Sequence, residues 1–166
     1  MSKSRVSPRL CVAVVFLLWV QTVAAAPPLD TNETTAENAF NKGRHAQAIV
    51  HYQRLLRKQS GNSGYRARLA ESYEISGNLA LAEEHAAEVL RDQSRNIDAL
   101  MTMGRVRGRQ GDWASAKAFY GRAIRANKND ATAHLSLGQA LTQLGKQDEA
   151  EAEFAEYRRL TGTTQP

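Results

Sequence analysis

Apolar and small residues recur along this chain at helical spacing, and the pattern comes in pairs of short segments. In residues 97–130, Leu100, Met103 and Val106 fall on one helical face and the run stops at Gly111, the residue type that accepts left-handed backbone beyond a helix end. Asp112 then offers a side-chain cap to a second segment, whose apolar stripe is Trp113, Ala116, Phe119, Tyr120, Ala123 and Ile124. No strand-like alternation occurs between residues 29 and 164. The prediction is all-α, built from antiparallel helix pairs.

The pair is repeated. Gly43, Gly77, Gly111 and Gly145 are each 34 residues apart, as are Ala48, Ala82, Ala116 and Ala150. A third small column, Ala36, Ala70, Gly104 and Gly138, keeps the same interval. Looser columns agree: Thr35, Leu69, Met103, Leu137, and Tyr52, Ala86, Tyr120, Phe154. Four units tile residues 29–62, 63–96, 97–130 and 131–164. Small side chains at recurring crossing points let helix axes approach closely, and larger ones there would cost about 1–3 kcal/mol by overpacking. The first helix of the opening unit is expected to be short, starting near Thr34-x-x-Glu37, and the helix from Asp148 to Leu160, stopped by Gly162, is expected to close the stack.

What precedes the repeats has a different composition. Residues 1–9 are polar and basic, Leu10 to Val20 is apolar, and Val23-Ala24-Ala25-Ala26 is small, the layout of a secretory signal peptide over residues 1–25. Cleavage after Ala25 is preferred, because a cut after Ala26 would place Pro27 directly beyond the bond; residues 26–28 then form a short linker. The alternative is an uncleaved leader that anchors the chain in the membrane. The single cysteine, Cys11, lies in the leader, so the mature chain would have none, which suits an oxidising compartment. Three of the 22 basic residues, Lys3, Arg5 and Arg9, also belong to it; without them 19 basic residues face 17 acidic ones. That balance turns the overall charge of +5 into a poor argument for nucleic-acid binding. The expected location is periplasmic or secreted.

The stretch Leu100-x-x-Met103-Gly104 … Gly111-Asp112-Trp113 … Ala116-x-x-x-Tyr120-x-x-Ala123 resembles the tetratricopeptide repeat, and His134-x-x-Leu137-Gly138 … Gly145 … Ala150-x-x-x-Phe154 resembles it again. The likeness is fair in the second unit and faint in the first. It departs from the family where proline is usual between repeats, since Ser60, Ser94, Lys128 and Gly162 stand there; Asn, Ser and Gly turn chemistry must serve instead. Arg107 replaces an apolar residue. The resemblance implies a right-handed superhelical solenoid with a concave groove, lined by the first helix of each unit. Its groove positions carry over to Glu37, Glu71, Glu74, Met101, Arg105, Arg109, Leu135 and Gln139. Met101 and Leu135 would form a greasy floor between an acidic first half and a basic third unit. Arg105 and Arg109, four apart on one face, suit a carboxylate, but Glu71 and Arg105 occupy equivalent places in adjacent units and pair with each other equally well. Glu33 and Glu37 stand where chaperone-binding relatives carry a carboxylate clamp, so that clamp is absent.

No chemistry competes with binding. His45, His51, His85 and His134 have neither metal-ligand spacing nor a Cys partner. Gly145-Lys146 lacks the rest of a phosphate loop, and no nucleophile elbow occurs. The row Glu149, Glu151, Glu153, Glu156 reads as a solvated helix face. The resemblance therefore implies a scaffold without enzymatic activity or cofactor, monomeric, holding a protein or peptide in its groove and assisting assembly of an envelope or secretion complex. Self-association through the repeats, or a membrane-anchored subunit with its leader retained, is the alternative.

Overall fold

The structure, a computed structural model, describes residues 33–163. The leader, its cleavage point, the linker and the first residues of the opening unit lie outside them. Eight α-helices follow in order: α1 (Glu33–Asn41), α2 (His45–Lys58), α3 (Ser63–Ile75), α4 (Leu79–Asp92), α5 (Ile97–Arg109), α6 (Trp113–Ala126), α7 (Ala131–Gln143) and α8 (Gln147–Thr161). There is no strand among the described residues. Helices α3, α5 and α7 begin 34 residues apart, and so do α2, α4, α6 and α8. The recurrent residues of the chain thus become recurrent helix ends.

The ends have local causes. Gly111 takes φ +80°, and the turn it makes lets the Asp112 N–H donate to the Arg107 carbonyl at 2.9 Å, closing α5. Where the family's proline is missing, an amide or carboxylate caps the next first helix. Asn62, Asn96 and Asp130, again 34 apart, accept from the backbone N–H groups of Tyr65, Ala99 and Ala133 at 3.0–3.1 Å. Asn78 and Asp112 do the same for α4 and α6. Gly162 stops α8 in the left-handed conformation.

Each helix packs against its chain neighbours, and α3 also touches α5 directly. Ala48, Ala82, Ala116 and Ala150 are buried in the crossings, as are Ala36, Ala70, Gly104 and Gly138. The apolar interior falls into three clusters. One joins units one and two through Tyr52, Leu55, Tyr65 and Leu69, and one joins units three and four through Leu100, Tyr120, Leu137 and Leu141. The third, between units two and three, is made mostly of small side chains: Ala67, Ala70, Ala86, Val89, Ala99 and Met103. Covered by neighbours on several sides, α3 and α5 are buried around much of their circumference rather than along one stripe. No described helix is long and apolar enough to cross a membrane.

Candidate functional site

Glu37, Glu71, Arg105 and Gln139 occupy the same place in the first helices of the four units, and all four are half-buried or exposed. Around them the first three units are tied together by charge. The Arg68 guanidinium lies 3.7 Å from Glu37 and 3.0 Å from Glu71, with its Cζ 4.9 Å from the Phe40 ring centre. Arg105 reaches Glu71 at 3.2 Å and Glu74 at 2.8 Å, and donates to Thr102 Oγ1 at 3.3 Å. Arg109 lies 3.4 Å from the Glu74 carboxylate and also donates to the Glu74 carbonyl. The result is a zigzag of alternating charge: Glu37, Arg68, Glu71, Arg105, Glu74, Arg109.

Of the two readings left open for Arg105 and Arg109, the described residues adopt internal pairing. Glu74 is the reason. Its side chain is only 5% exposed, and a carboxylate so placed needs its charge met by partners. Arg109 keeps 47% of its side chain in solvent while doing so. Burial lowers the proton affinity of Arg68, but the carboxylates of Asp98, Glu71 and Glu37 outweigh it and hold the group above its usual value. Tyr52 donates to Glu37 at 2.7 Å and Tyr65 to Glu33 at 2.9 Å. Burial, then the bond to Glu37, pushes the Tyr52 hydroxyl well above the ordinary tyrosine range.

Two expectations about exposure need correction. Met101 is not an open floor: it is 5% exposed and belongs to the cluster joining units three and four, which includes Ala133, Leu137 and Leu141 of α7. Glu74 lies equally deep, beneath its two arginines. Both sit on helices enclosed by neighbours, where a single amphipathic stripe underestimates burial. Leu135 is half-buried and Gln139 exposed, and Ile75, at 42%, adds an exposed apolar side chain on α3. Arg68 escaped the sequence reading because it stands one residue past a groove position; its i,i+3 spacing to Glu71 was the available signal. Arg107, out of place in the family pattern, pairs with Glu83. The acidic row on α8 is not wholly solvated either, since His134 Nδ1 lies 2.6 Å from Glu153 and its Nε2 lies 3.0 Å from the Lys128 carbonyl. Among the described residues no group of three metal-ligating side chains gathers.

Paired helices at a fixed 34-residue interval, small residues at every crossing and glycine at every inner turn define a helical-repeat solenoid. A profile of the tetratricopeptide repeat family matches residues 34–97 and 101–163, and the chain belongs to that family. The tetratricopeptide repeat and J domain-containing co-chaperone DNJ1 of Fusarium oxysporum f. sp. lycopersici is 28% identical over 109 residues, 66% of this chain; the match spans about a fifth (21%) of that longer protein. TTC0263, a thermophilic repeat protein of Thermus thermophilus, superposes with a TM-score of 0.70 at 22% identity, covering 77% of this chain and 72% of that one. MamA superposes at 0.66 and 20% identity, covering 76% and 74%. At such identities these structures share the fold.

Proposed function

We propose that this chain is an exported, non-enzymatic scaffold that holds a protein or peptide segment along the first-helix face of its stack, in the service of assembling an envelope or secretion complex. The observation that carries the reading is the row Glu37, Glu71, Arg105, Gln139: one side chain per unit, in register, on one side of the four first helices. The family is generally one of protein-binding scaffolds, and a row of this kind suits an extended or helical segment held chiefly by shape. Because Arg68, Arg105 and Arg109 already serve Glu37, Glu71 and Glu74, partner choice falls to side chains without such duties: Leu135 and Gln139 on α7, and Ile75 on α3. Export rests on the leader, and a monomeric state is part of the proposal.

The experiment is recovery of partners from the envelope fraction by the native protein and by a Leu135→Arg/Gln139→Arg variant. Loss of specific partners with unchanged helicity supports the reading; equal recovery by both overturns it. Substituting Arg105 would be a poor test, since it strands Glu74 and weakens the fold itself. Export is tested separately by N-terminal sequencing: a chain starting at Ala26 supports it, and one starting at Met1 supports the anchored form.

A further inference from the structure

On the opposite side of the repeats, α6 and α7 border an open cleft of about 610 Å³. Its floor is apolar and shallow in side chain: Ala118 and Gly121 from α6, Leu137 and Leu144 from α7 and its end. Leu137 and Gln139 are two residues apart in α7, about 200° around the helix, so this cleft and the groove row face different ways. Leu144 keeps 37% of its surface exposed, one of the few large apolar side chains to do so.

The rim is basic. Lys117, Arg122, Arg125 and Lys146 border the cleft. A single carboxylate, Glu149, stands between the two lysines, 3.6 Å from Lys117 and paired with Lys146. Arg122 donates to the Ser94 carbonyl at 3.0 Å and its Cζ lies 5.6 Å from the Phe119 ring centre, and among the described residues no carboxylate pairs with it. Arg125 is exposed and makes no ion pair among the described residues. A Cβ built on Gly121 would meet only Arg125 Nη1, at 3.7 Å, an ordinary contact. Packing therefore gives no reason for glycine there, although glycine is among the poorest residues inside a helix. Gly104 and Gly138 differ in kind, because aromatic rings press on them.

A cleft two units earlier shares part of this lining. It uses Arg57 where Arg125 stands and Leu69 where Leu137 stands, but Gln53 replaces Gly121, and its volume is about 360 Å³. There Arg66 is held by Glu88 at 2.7 Å. The cleft beside α6 is thus the larger of the two, and its cations outnumber the carboxylate at its rim.

We infer that the cleft between α6 and α7 is a second docking site, for an acidic segment of a partner protein that places a leucine-like side chain against Ala118, Gly121, Leu137 and Leu144 and carboxylates against Arg122, Arg125 and the lysines. The apolar floor distinguishes this occupant from a bare anion, and the unmatched rim charge distinguishes it from a neutral apolar peptide.

The test is fluorescence anisotropy of a labelled peptide of alternating Leu and Glu titrated with purified protein. Gly121→Gln, which copies the residue of the first unit, is expected to weaken binding by about tenfold or more while leaving thermal unfolding unchanged or raised; Arg125→Glu is expected to weaken it similarly. A Leu-free Glu peptide should bind far less. Parent-like affinity in both variants, or equal binding of the Leu-free peptide, overturns the proposal. Loss of binding on Gln139→Arg moves the peptide to the first-helix face and overturns it too, leaving the proposed scaffold function intact. Sedimentation supplies the remaining check: self-association of the parent that Gly121→Gln abolishes would make a second copy the occupant and overturn the acidic-peptide assignment.

Discussion

Gly104 faces the Tyr120 ring so closely that a Cβ at that position would lie 2.3 Å from Cε1. One repeat on, Gly138 and Phe154 stand in the same relationship at 2.5 Å, while the second unit has Ala70 and Ala86 in the matching places. In units two to four the two columns act as one device: an aromatic ring on the second helix is met by glycine on the first, and an alanine by an alanine, whereas in unit one Tyr52 stands with Ala36.

That device predicts coupling. Gly104→Ala should destabilise by about 1–3 kcal/mol through overpacking, measured by urea denaturation. Tyr120→Ala alone should cost about 3–5 kcal/mol through the cavity it leaves. Combined, the two recreate the Ala70–Ala86 pair, so the double variant should be more stable than the sum of the single losses. Strictly additive losses would refute the account.

Gly121 should behave in the opposite way. With nothing but Arg125 Nη1 near its missing Cβ, Gly121→Ala should stabilise the helix by about 1 kcal/mol. Differential scanning calorimetry reads this as a raised Tm, and a lowered Tm would mean that the site carries a packing constraint.

Arg105 and Glu74 allow a third measurement. Arg105→Met strands a carboxylate that is 5% exposed, with only Arg109 left to meet it, and should cost about 3 kcal/mol. Replacing both residues, as Arg105→Met/Glu74→Leu, removes the stranded charge and should recover most of that loss. A double variant as unstable as the single one would assign the penalty to packing.

Alkali should act through buried phenols. Desolvation first, and then the bond to Glu37, raises Tyr52 above the ordinary value of 10.0; desolvation pushes Tyr120 up to about 12. Since the folded state favours the neutral hydroxyls, their contribution is complete below pH 10 and is lost as pH rises toward and past 12. Phenolate absorbance from these two residues should therefore appear together with loss of helical circular dichroism. Early titration of Tyr120 in a still-helical protein would contradict its burial.

Much of this architecture was legible beforehand because its causes are local or periodic. The glycine turns, the alanine crossings and the stop at Gly162 depend on residues close in sequence or at a fixed interval; of the linkers only their Asn, Ser and Gly turn chemistry was legible, not the caps at Asn62, Asn96 and Asp130. Burial of Met101 and Glu74 was not legible, because it depends on neighbouring units covering α5 and α3 from more than one side. Pairing of His134 with Glu153 was missed for a related reason: a helix face that looks solvated in its own sequence becomes an inner face when α7 packs beside it. The α6–α7 cleft was hidden as well, since a half-buried glycine and scattered cations acquire meaning only when a second helix supplies the opposite wall.

The middle of the array has a consequence of its own. Units two and three meet through four alanines with Val89 and Met103, and through Val106, and the zigzag from Glu71 to Arg109, with Arg107 and Glu83, lies over that same junction. Concentrated salt weakens exposed charge pairs and leaves hydrophobic contacts in place. Added salt is therefore expected to act on the more open pair at this junction, Arg107 with Glu83, before the pairs that meet the 5% exposed Glu74, which solvent ions reach least.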